Sequence, residues 1–368
     1  MSKTVELRNL FFSDFSPQEQ YITWKDAERV TIHYGQLKLI LTDIMFLTIF
    51  WNSKEVPRPQ IVIVGAAPGH HYPILVKMFP DITFHLYDPR RFDIPRESRE
   101  RIRLYNQYFT DDDAHIWSGR KDVIFISDIR SFEEGMTTEE KEDRVVFDMN
   151  LQKNWVEIID PIISSLKFRL RYPLVDPKTG IADIDILSDY LDGFRMKQIW
   201  APQTSTEVRL IPIKVDGKYR IKKWSSLLHQ NQCFLHNRRI RTSNFYNPFT
   251  NDMTPIYEDE LINDFDSVAT ILVMKKYLER FMGVVPTLDD AVALYRVILG
   301  DVNDHRSTIL TIAQLRKSEW KSSVNNKAND KDWIKKNIVP FVYKYKEFIS
   351  VIRGNELPRA PLAIELLR

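Results

Sequence analysis

Between about Tyr34 and Ile213, apolar runs of four to six residues alternate with longer stretches of helical periodicity, the pattern of a parallel sheet whose strands are joined by crossover helices. The runs 61–64, 83–87, 123–126, 166–170 and 208–213 are the candidate strands. A helix is expected after His70 and a long one over about 147–163, where Pro161 ends or kinks it because proline has no N–H for the helical ladder. Segment 37–51 is apolar on nearly every side, which marks a buried helix; it contains Lys38 and Asp43 and falls short of the roughly 18–20 residues of a membrane span. From Tyr257 onward the texture turns to successive helices. One is bounded in front by Thr287 followed by Asp290 and closed behind by Gly300. The acidic run 133–143 and the polar stretch 318–332 read as surface connections, and no repeat or low-complexity tract interrupts the pattern. The expected architecture is therefore α/β, a doubly wound, mostly parallel sheet over residues 1–250 followed by a helical extension over 251–368.

Charge narrows the partners. Lys plus Arg number 52 against 50 for Asp plus Glu, a formal charge of +2, so any affinity for nucleic acid must be local. Cysteine is represented by Cys233 alone, which excludes an intrachain disulfide and every multi-cysteine metal framework and suits a reducing compartment. The opening MSKTVELRNL has no apolar run after its first lysine, so secretion is not expected. His70, His71, His229 and His236 are too scattered for a zinc pattern, and no metal site is expected.

Glycine is scarce, with 11 in the chain, so Gly65 and Gly69 directly after the run IVIV carry information. Strand, GAAPGHH, helix is an order that lets backbone approach a ligand and offers free helix N–H groups to it. The loop lacks the Lys-Ser/Thr ending of a triphosphate P-loop and the GxGxxG dinucleotide spacing. Asp88 closes the next strand 23 residues after Gly65, where doubly wound folds set an acid against ribose hydroxyls. Together these point to an adenosyl group; the plainer alternative is a tight turn plus a strand-end aspartate capping a neighbouring loop.

Two lysines and two carboxylates fall on elements expected to converge at one sheet edge. Lys38 lies in the buried helix and needs a carboxylate, a ligand or a route to solvent. Asp128 ends the strand VIFIS, Lys167 lies inside SSLKFRL, and Glu207 opens EVRLIPI. Taken singly, each has an ordinary structural explanation as a snorkelling lysine, a loop cap or a solvated strand residue.

Their context is more specific. GQLKL at 35–39, VGAAPGHH at 64–71, ISDIR at 126–130, SSLKFR at 164–169 and STEVRL at 205–210 occur in that order. They resemble the poxvirus cap-specific mRNA nucleoside-2′-O-methyltransferase family, whose members also serve as the small subunit of the viral poly(A) polymerase. The resemblance spans roughly residues 21–248. It implies a Rossmann-like methyltransferase sheet, a catalytic tetrad of Lys38, Asp128, Lys167 and Glu207, and S-adenosylmethionine contacts from Gln36, Gly65, Gly69, His71, Asp88, Arg90 and Asp128. It also implies a cytoplasmic protein of a large DNA virus, acting on capped mRNA, with a poly(A) polymerase catalytic subunit as a partner and no membrane. Methyl transfer from a sulfonium to a ribose 2′-oxygen is an in-line displacement that needs an alkoxide-like nucleophile. A free lysine, with a pKa near 10.4, is protonated at neutral pH, and a second lysine close by favours the neutral amine. Lys167 is thus expected as general base, Lys38 as its electrostatic neighbour, and the carboxylates as orienting groups.

A methylated guanine calls for aromatic faces and an acid. The family's stacking aromatics fall on Tyr21 and Tyr172. One family acid position holds Leu174, with Asp176 two residues on as its substitute, and another falls on Gln230. Arg169 and Arg171 are the candidate phosphate contacts. Segment 214–241 carries eight Lys/Arg against one Asp, with Trp224 and Phe234 interspersed, which suits either a single-stranded RNA track or a solvated hairpin. Two further readings stand beside the enzyme: a non-catalytic RNA-binding processivity subunit of the polymerase, and a ribose methyltransferase of structural RNA.

Overall fold

The computed structural model describes residues 4–22, 35–175, 182–256, 261 and 263–304. Asp176 and the stretch 318–332 lie outside them. In chain order, a two-residue strand β1 (Phe11–Phe12) and the helix α1 (Gly35–Phe50) precede an alternating series: β2 (Gln60–Val64), α2 (Tyr72–Met78), β3 (Thr83–Tyr87), β4 (Ile102–Tyr105), α3 (Asp111–Trp117), β5 (Val123–Ser127), α4 (Thr138–Ile159) and β6 (Ile163–Phe168). Shorter strands follow: β7 (Leu174–Val175), β8 (Ala182–Ile184), β9 (Leu187–Leu191), β10 (Gly193–Met196), β11 (Val208–Pro212), β12 (Lys214–Val215), β13 (Lys218–Tyr219) and β14 (Ile221–Ser225). The described chain ends in helices α5 (Ser226–Leu235), α6 (Phe265–Tyr277) and α7 (Leu288–Asp304).

Eight strands form one sheet in the order β1-β10-β11-β6-β5-β2-β3-β4. From β6 to β4 every pairing is parallel, while β11, β10 and β1 add an antiparallel edge. Strand alternation sorts the core into two layers. Ile61 and Ile63 of β2 and Ile124 and Ile126 of β5 pack with α1, α2, α6 and α7, whereas Val62, Val64, Val123 and Phe125 face α3 and α4. Strands buried on both faces read as unbroken apolar runs, which is why β2, β3, β5, β6 and β11 were legible and their sheet is mostly parallel as expected.

Several boundaries differ from expectation. The long helix starts at Thr138, inside the acidic run read as a loop, because Thr137 accepts from Glu140 N–H while the Glu140 carboxylate accepts from Thr137 N–H. It stops at Asp160, in the left-handed region at φ 51°, immediately before Pro161. Thr287 and Asp290 do cap α7, but Gly300 lies within that helix, which runs on to Asp304. β6 begins at Ile163 rather than 166 and ends at Phe168. Of the expected helical extension, the described helices α6 and α7 share the core of α1 and the sheet.

Candidate active site

The topological switch of the sheet lies between β2 and β5, whose onward connections leave in opposite directions, and a crevice opens there at the strands' carboxyl ends. Gly65 follows β2 at φ 83°. A Cβ on it would come within 2.9 Å of the Asp128 carbonyl carbon and 3.0 Å of Ile129 N, so only glycine lets the two strand ends lie side by side. Asp128 N–H donates to Val64 O (2.8 Å), closing this junction.

Four expected residues meet beside it. Lys167 Nζ is 3.1 Å from Asp128 Oδ1 and 3.5 Å from Glu207 Oε2; Lys38 Nζ is 3.5 Å from Glu207 Oε1. Lys38 therefore reaches across from α1 to find the carboxylate that its burial demands. Register supplies a fifth member absent from the expected set. Arg209 of β11 is the cross-strand partner of Lys167, and its guanidinium donates to Asp128 Oδ1 (2.6 Å) and Ser127 O (3.0 Å). Gln198 lies between Glu207 and Arg209; with its amide turned so that the nitrogen faces the carboxylate, it donates to Glu207 Oε1 and accepts from Arg209 Nε, both at 3.2 Å. Arg130 adds a further cation 3.6 Å from Glu207 and 3.8 Å from Asp148. Behind Lys167, the buried Gln152 of α4 accepts from its backbone N–H (3.0 Å) and donates to its carbonyl (3.1 Å), fixing the stretch of β6 that aims the amine. An isolated Arg, Gln or second Arg in a strand or loop carries no spacing signal; only the register of β11 on β6 could have exposed Arg209.

The electrostatics follow from crowding. Burial lowers the Lys38 pKa, with Arg209 and Lys167 assisting and Glu207 and Asp128 opposing. Burial pushes the Asp128 carboxyl up, but Arg209, Lys167 and Lys38 outweigh it and hold the group well below the usual carboxylate range. Glu207 is likewise held low, its burial outweighed by the two lysines. Arg209 moves up, since the carboxylates overcome its burial.

A cavity of about 750 Å³ adjoins this cluster. Gln36, Gly65, Gly69, His71, Asp88, Arg90, Asp128 and Lys167 all line it, as does Arg209. Asp88 closes β3, but its carboxylate accepts from Ala67 N–H (3.0 Å), Arg90 N–H (2.9 Å) and the Arg90 guanidinium (2.9 and 3.0 Å), so it braces the glycine loop. Asp88 thus caps the neighbouring loop and lines the cavity at the same time.

The expected RNA residues separate. Tyr21 packs edge-on against Phe234 at 5.3 Å and feels the Tyr172 hydroxyl, which together with the larger effect of burial raises its pKa. Arg169 is buried, with its guanidinium 4.3 Å from the centre of the Tyr172 ring and committed to Glu142 by two hydrogen bonds of 2.7 and 3.0 Å. It braces Tyr172, whose N–H also donates to Glu142, and is not open to a phosphate. Arg171, more exposed, pairs with Asp143 at 2.7 Å. Leu174 is exposed and Gln230 buried. Segment 214–241 does not form an aromatic track: Trp224 and Phe234 are core residues, and Arg241 is buried on Asp266 at 2.7 Å. His229 and His236 are core residues too, and burial drives the His229 pKa down to about 3. Among the described residues no group of His, Cys, Asp or Glu is placed to hold a metal ion, and no helix is long and apolar enough to cross a membrane.

Residues 5–282 match the family model described as "Poly A polymerase regulatory subunit". Similar proteins include the cap-specific mRNA (nucleoside-2′-O-)-methyltransferase of fowlpox virus, 29% identical over 253 residues, which are 63% of this chain and 76% of that protein. The protein of the same name from myxoma virus (strain Lausanne) is 30% identical over 222 residues, 57% of this chain and 62% of that protein. The match therefore spans a little under two thirds of the myxoma relative. A stretch of 98 residues, 26% of this chain, is 38% identical to protein VP3 of rotavirus C and covers 12% of it.

Proposed function

Because the chain belongs to the poly A polymerase regulatory subunit family, we propose that it is a cap-specific mRNA 2′-O-methyltransferase that transfers a methyl group from S-adenosylmethionine to the ribose of the first transcribed nucleotide. The observation that carries this reading is the meeting of Lys167, Asp128, Glu207 and Lys38 at the rim of a cavity bounded by the glycine loop. Its relatives from fowlpox and myxoma viruses bear the name of that activity.

The cavity suits the cofactor. Its volume lies within the roughly 300–1,000 Å³ range of small-molecule sites. Gly65 keeps the floor clear where a Cβ would collide with the Asp128 loop, and Gln36, His71 and Arg90 offer polar groups around the wall. When bound, S-adenosylmethionine supplies an electrophilic methyl group on a sulfonium. The chain's own work is to position and deprotonate the acceptor. Lys167, anchored through its backbone by Gln152, must first give its own proton to solvent; the neutral amine then takes the 2′-hydroxyl proton onto Nζ, and Asp128 and Glu207 hold the resulting ammonium. Arg209 keeps Asp128 ionised and pinned, and Lys38 steadies the far oxygen of Glu207. Tyr21 and Tyr172 are the proposed faces for the cap base, with Arg171, the more exposed of the two arginines, the candidate for phosphate and Asp176 a candidate acid.

The test is incubation with labelled S-adenosylmethionine and short RNAs bearing a methylated cap, an unmethylated cap or none, followed by digestion. A labelled 2′-O-methylnucleoside next to the cap is expected; label elsewhere, or equal label on uncapped RNA, points to a modifier of structural RNA. The family's description favours a second role beside the first, as partner of a poly(A) polymerase catalytic subunit. Longer tails on adding the chain to such a polymerase would support that role.

A further inference from the structure

α1 is apolar on nearly every side, yet Asp43 sits in its middle and none of the tetrad chemistry uses it. Gln36, Leu39 and Asp43, spaced so that they share one helix face, line the cavity. Four other carboxylates line it as well. Asp128 is held by Arg209 at 2.6 Å and Lys167 at 3.1 Å; Asp88 by Arg90 at 2.9 Å and Ala67 N–H at 3.0 Å. Asp148 accepts from the Ser131 hydroxyl (2.5 Å) and backbone N–H (2.9 Å), and Glu133 is an exposed side chain 3.6 Å from Arg144. Asp43 differs from all four. Its side chain is 10% exposed, its one ion-pair partner is His71 Nε2 at 3.7 Å, beyond hydrogen-bond distance, and no described residue donates a hydrogen bond to it.

A buried carboxylate without donors is costly, and an imidazole offers full charge only when protonated. Arg209 feels the charge of Asp43 but donates no hydrogen bond to it, so what the position lacks is a cation whose N–H donors reach the carboxylate itself, and the cavity is the side from which one would arrive. His71 Nδ1 lies 3.4 Å from Gln36 Oε1, so the imidazole is already oriented by α1 and its other nitrogen faces Asp43. The remaining ends of the cavity are accounted for: Asp88 and Arg90 brace the loop at one side, and the lysine cluster occupies the reacting side.

We infer that Asp43 receives the α-ammonium group of the cofactor's amino-acid end, which makes it the residue that distinguishes a nucleoside bearing the intact amino acid from one without it. This inference rests on the S-adenosylmethionine reading above. Such a group would supply up to three donors to a carboxylate already shielded from water, a charge-assisted contact of the stronger kind.

The experiment is calorimetric titration of the full-length chain with three ligands: S-adenosylhomocysteine, its deaminated analogue that keeps the carboxylate, and 5′-methylthioadenosine, which lacks the amino acid. The unaltered protein is expected to bind S-adenosylhomocysteine at least tenfold more tightly than the deaminated analogue. Asp43→Asn should close that gap and leave 5′-methylthioadenosine binding unchanged. Equal binding of the first two ligands by the unaltered protein overturns the inference whether or not the variant folds. So does a variant that keeps the full preference, or one that is folded by thermal melt and weakens all three ligands alike. Failure of the unaltered protein to bind any of the three removes the cofactor reading itself, and the inference with it; binding of all three without preference removes the inference alone.

Discussion

Lys167 and Arg209 face each other across two antiparallel strands, and such a pair of like charges is destabilising unless an anion lies between them. Asp128 is that anion, and the cations around it hold its carboxyl well below the usual carboxylate range despite its burial. Lys167→Ala is expected to lower methyl transfer at least ~10³-fold, the scale of a lost general base, while calorimetric affinity for S-adenosylhomocysteine stays within about twofold. Arg209→Met leaves Asp128 buried with one fewer partner and should cost on the order of 3–5 kcal/mol in urea unfolding. The sign of the pH dependence follows from the same contacts. Asp128 and Glu207 have folded pKa values below their unfolded ones, so their stabilisation is complete above the ordinary carboxylate range and is lost as pH falls through the folded values. Removing Arg209 should therefore move acid unfolding to higher pH, read by circular dichroism across pH 2–6.

At the scale of elements, two junctions hold the cluster in place. One is the β2–β5 edge, where Gly65 at φ 83° abuts the Asp128 backbone. Gly65→Ala meets backbone rather than a yielding side chain, so both strain and collision act, and a loss of about 2–3 kcal/mol in stability is expected. Cofactor affinity should fall with it, by tenfold or more in titration, because the loop and the Asp128 turn must separate. The other junction is the carboxyl end of α1. Arg280, in the widened π-helical turn Leu278–Met282 that continues α6, donates to the carbonyls of Thr48 (2.7 Å), Ile49 (3.3 Å) and Trp51, the groups a helix end leaves unpaired. α6 thus locks the helix that carries Lys38 and Asp43. Arg280→Met should destabilise the protein by roughly 2–4 kcal/mol in chemical denaturation, with three buried carbonyls losing a charged donor.

Across the whole molecule, the antiparallel edge ties the N-terminal segment to the sheet, and α5 holds the end of that segment, Asn231 Oδ1 accepting from Tyr21 N–H at 2.9 Å. Lys197, just past β10, donates to Asn9 O at 2.7 Å and lies 4.5 Å from the Phe12 ring centre. Burial lowers its pKa to about 7. The folded pKa lies below the unfolded one, so between about pH 7 and 10 the unfolded chain binds more protons and stability rises with pH. Relative to Lys197→Met, the unaltered protein is expected to gain on the order of 3 kcal/mol between pH 7 and pH 9.5, measured by urea unfolding at both values. A flat difference would show that the amine keeps its proton throughout.

Periodicity and chemistry written along the chain determined the central strands, the buried helix, the glycine loop and four residues of the candidate site. These are local signals: unbroken apolar runs, a scarce glycine after a strand, and charged residues where burial is expected. Tertiary structure alone decided the rest. Strands of two to four residues such as β1 and β10 are too short to show a period, so their antiparallel edge came from pairing. Arg209 and Gln152 are ordinary residues in ordinary elements until register sets one opposite Lys167 and packing sets the other behind it. Arg169 and Trp224 carry the composition of an RNA surface, yet Glu142 and the core claim them, because a buried charge needs a partner and an indole needs cover. The chain dictates which groups exist and where helices and strands start; which groups meet is a matter of distances of a few ångströms between segments that lie from 15 residues apart, as Gln152 and Lys167 do, to 232 apart, as Thr48 and Arg280 do.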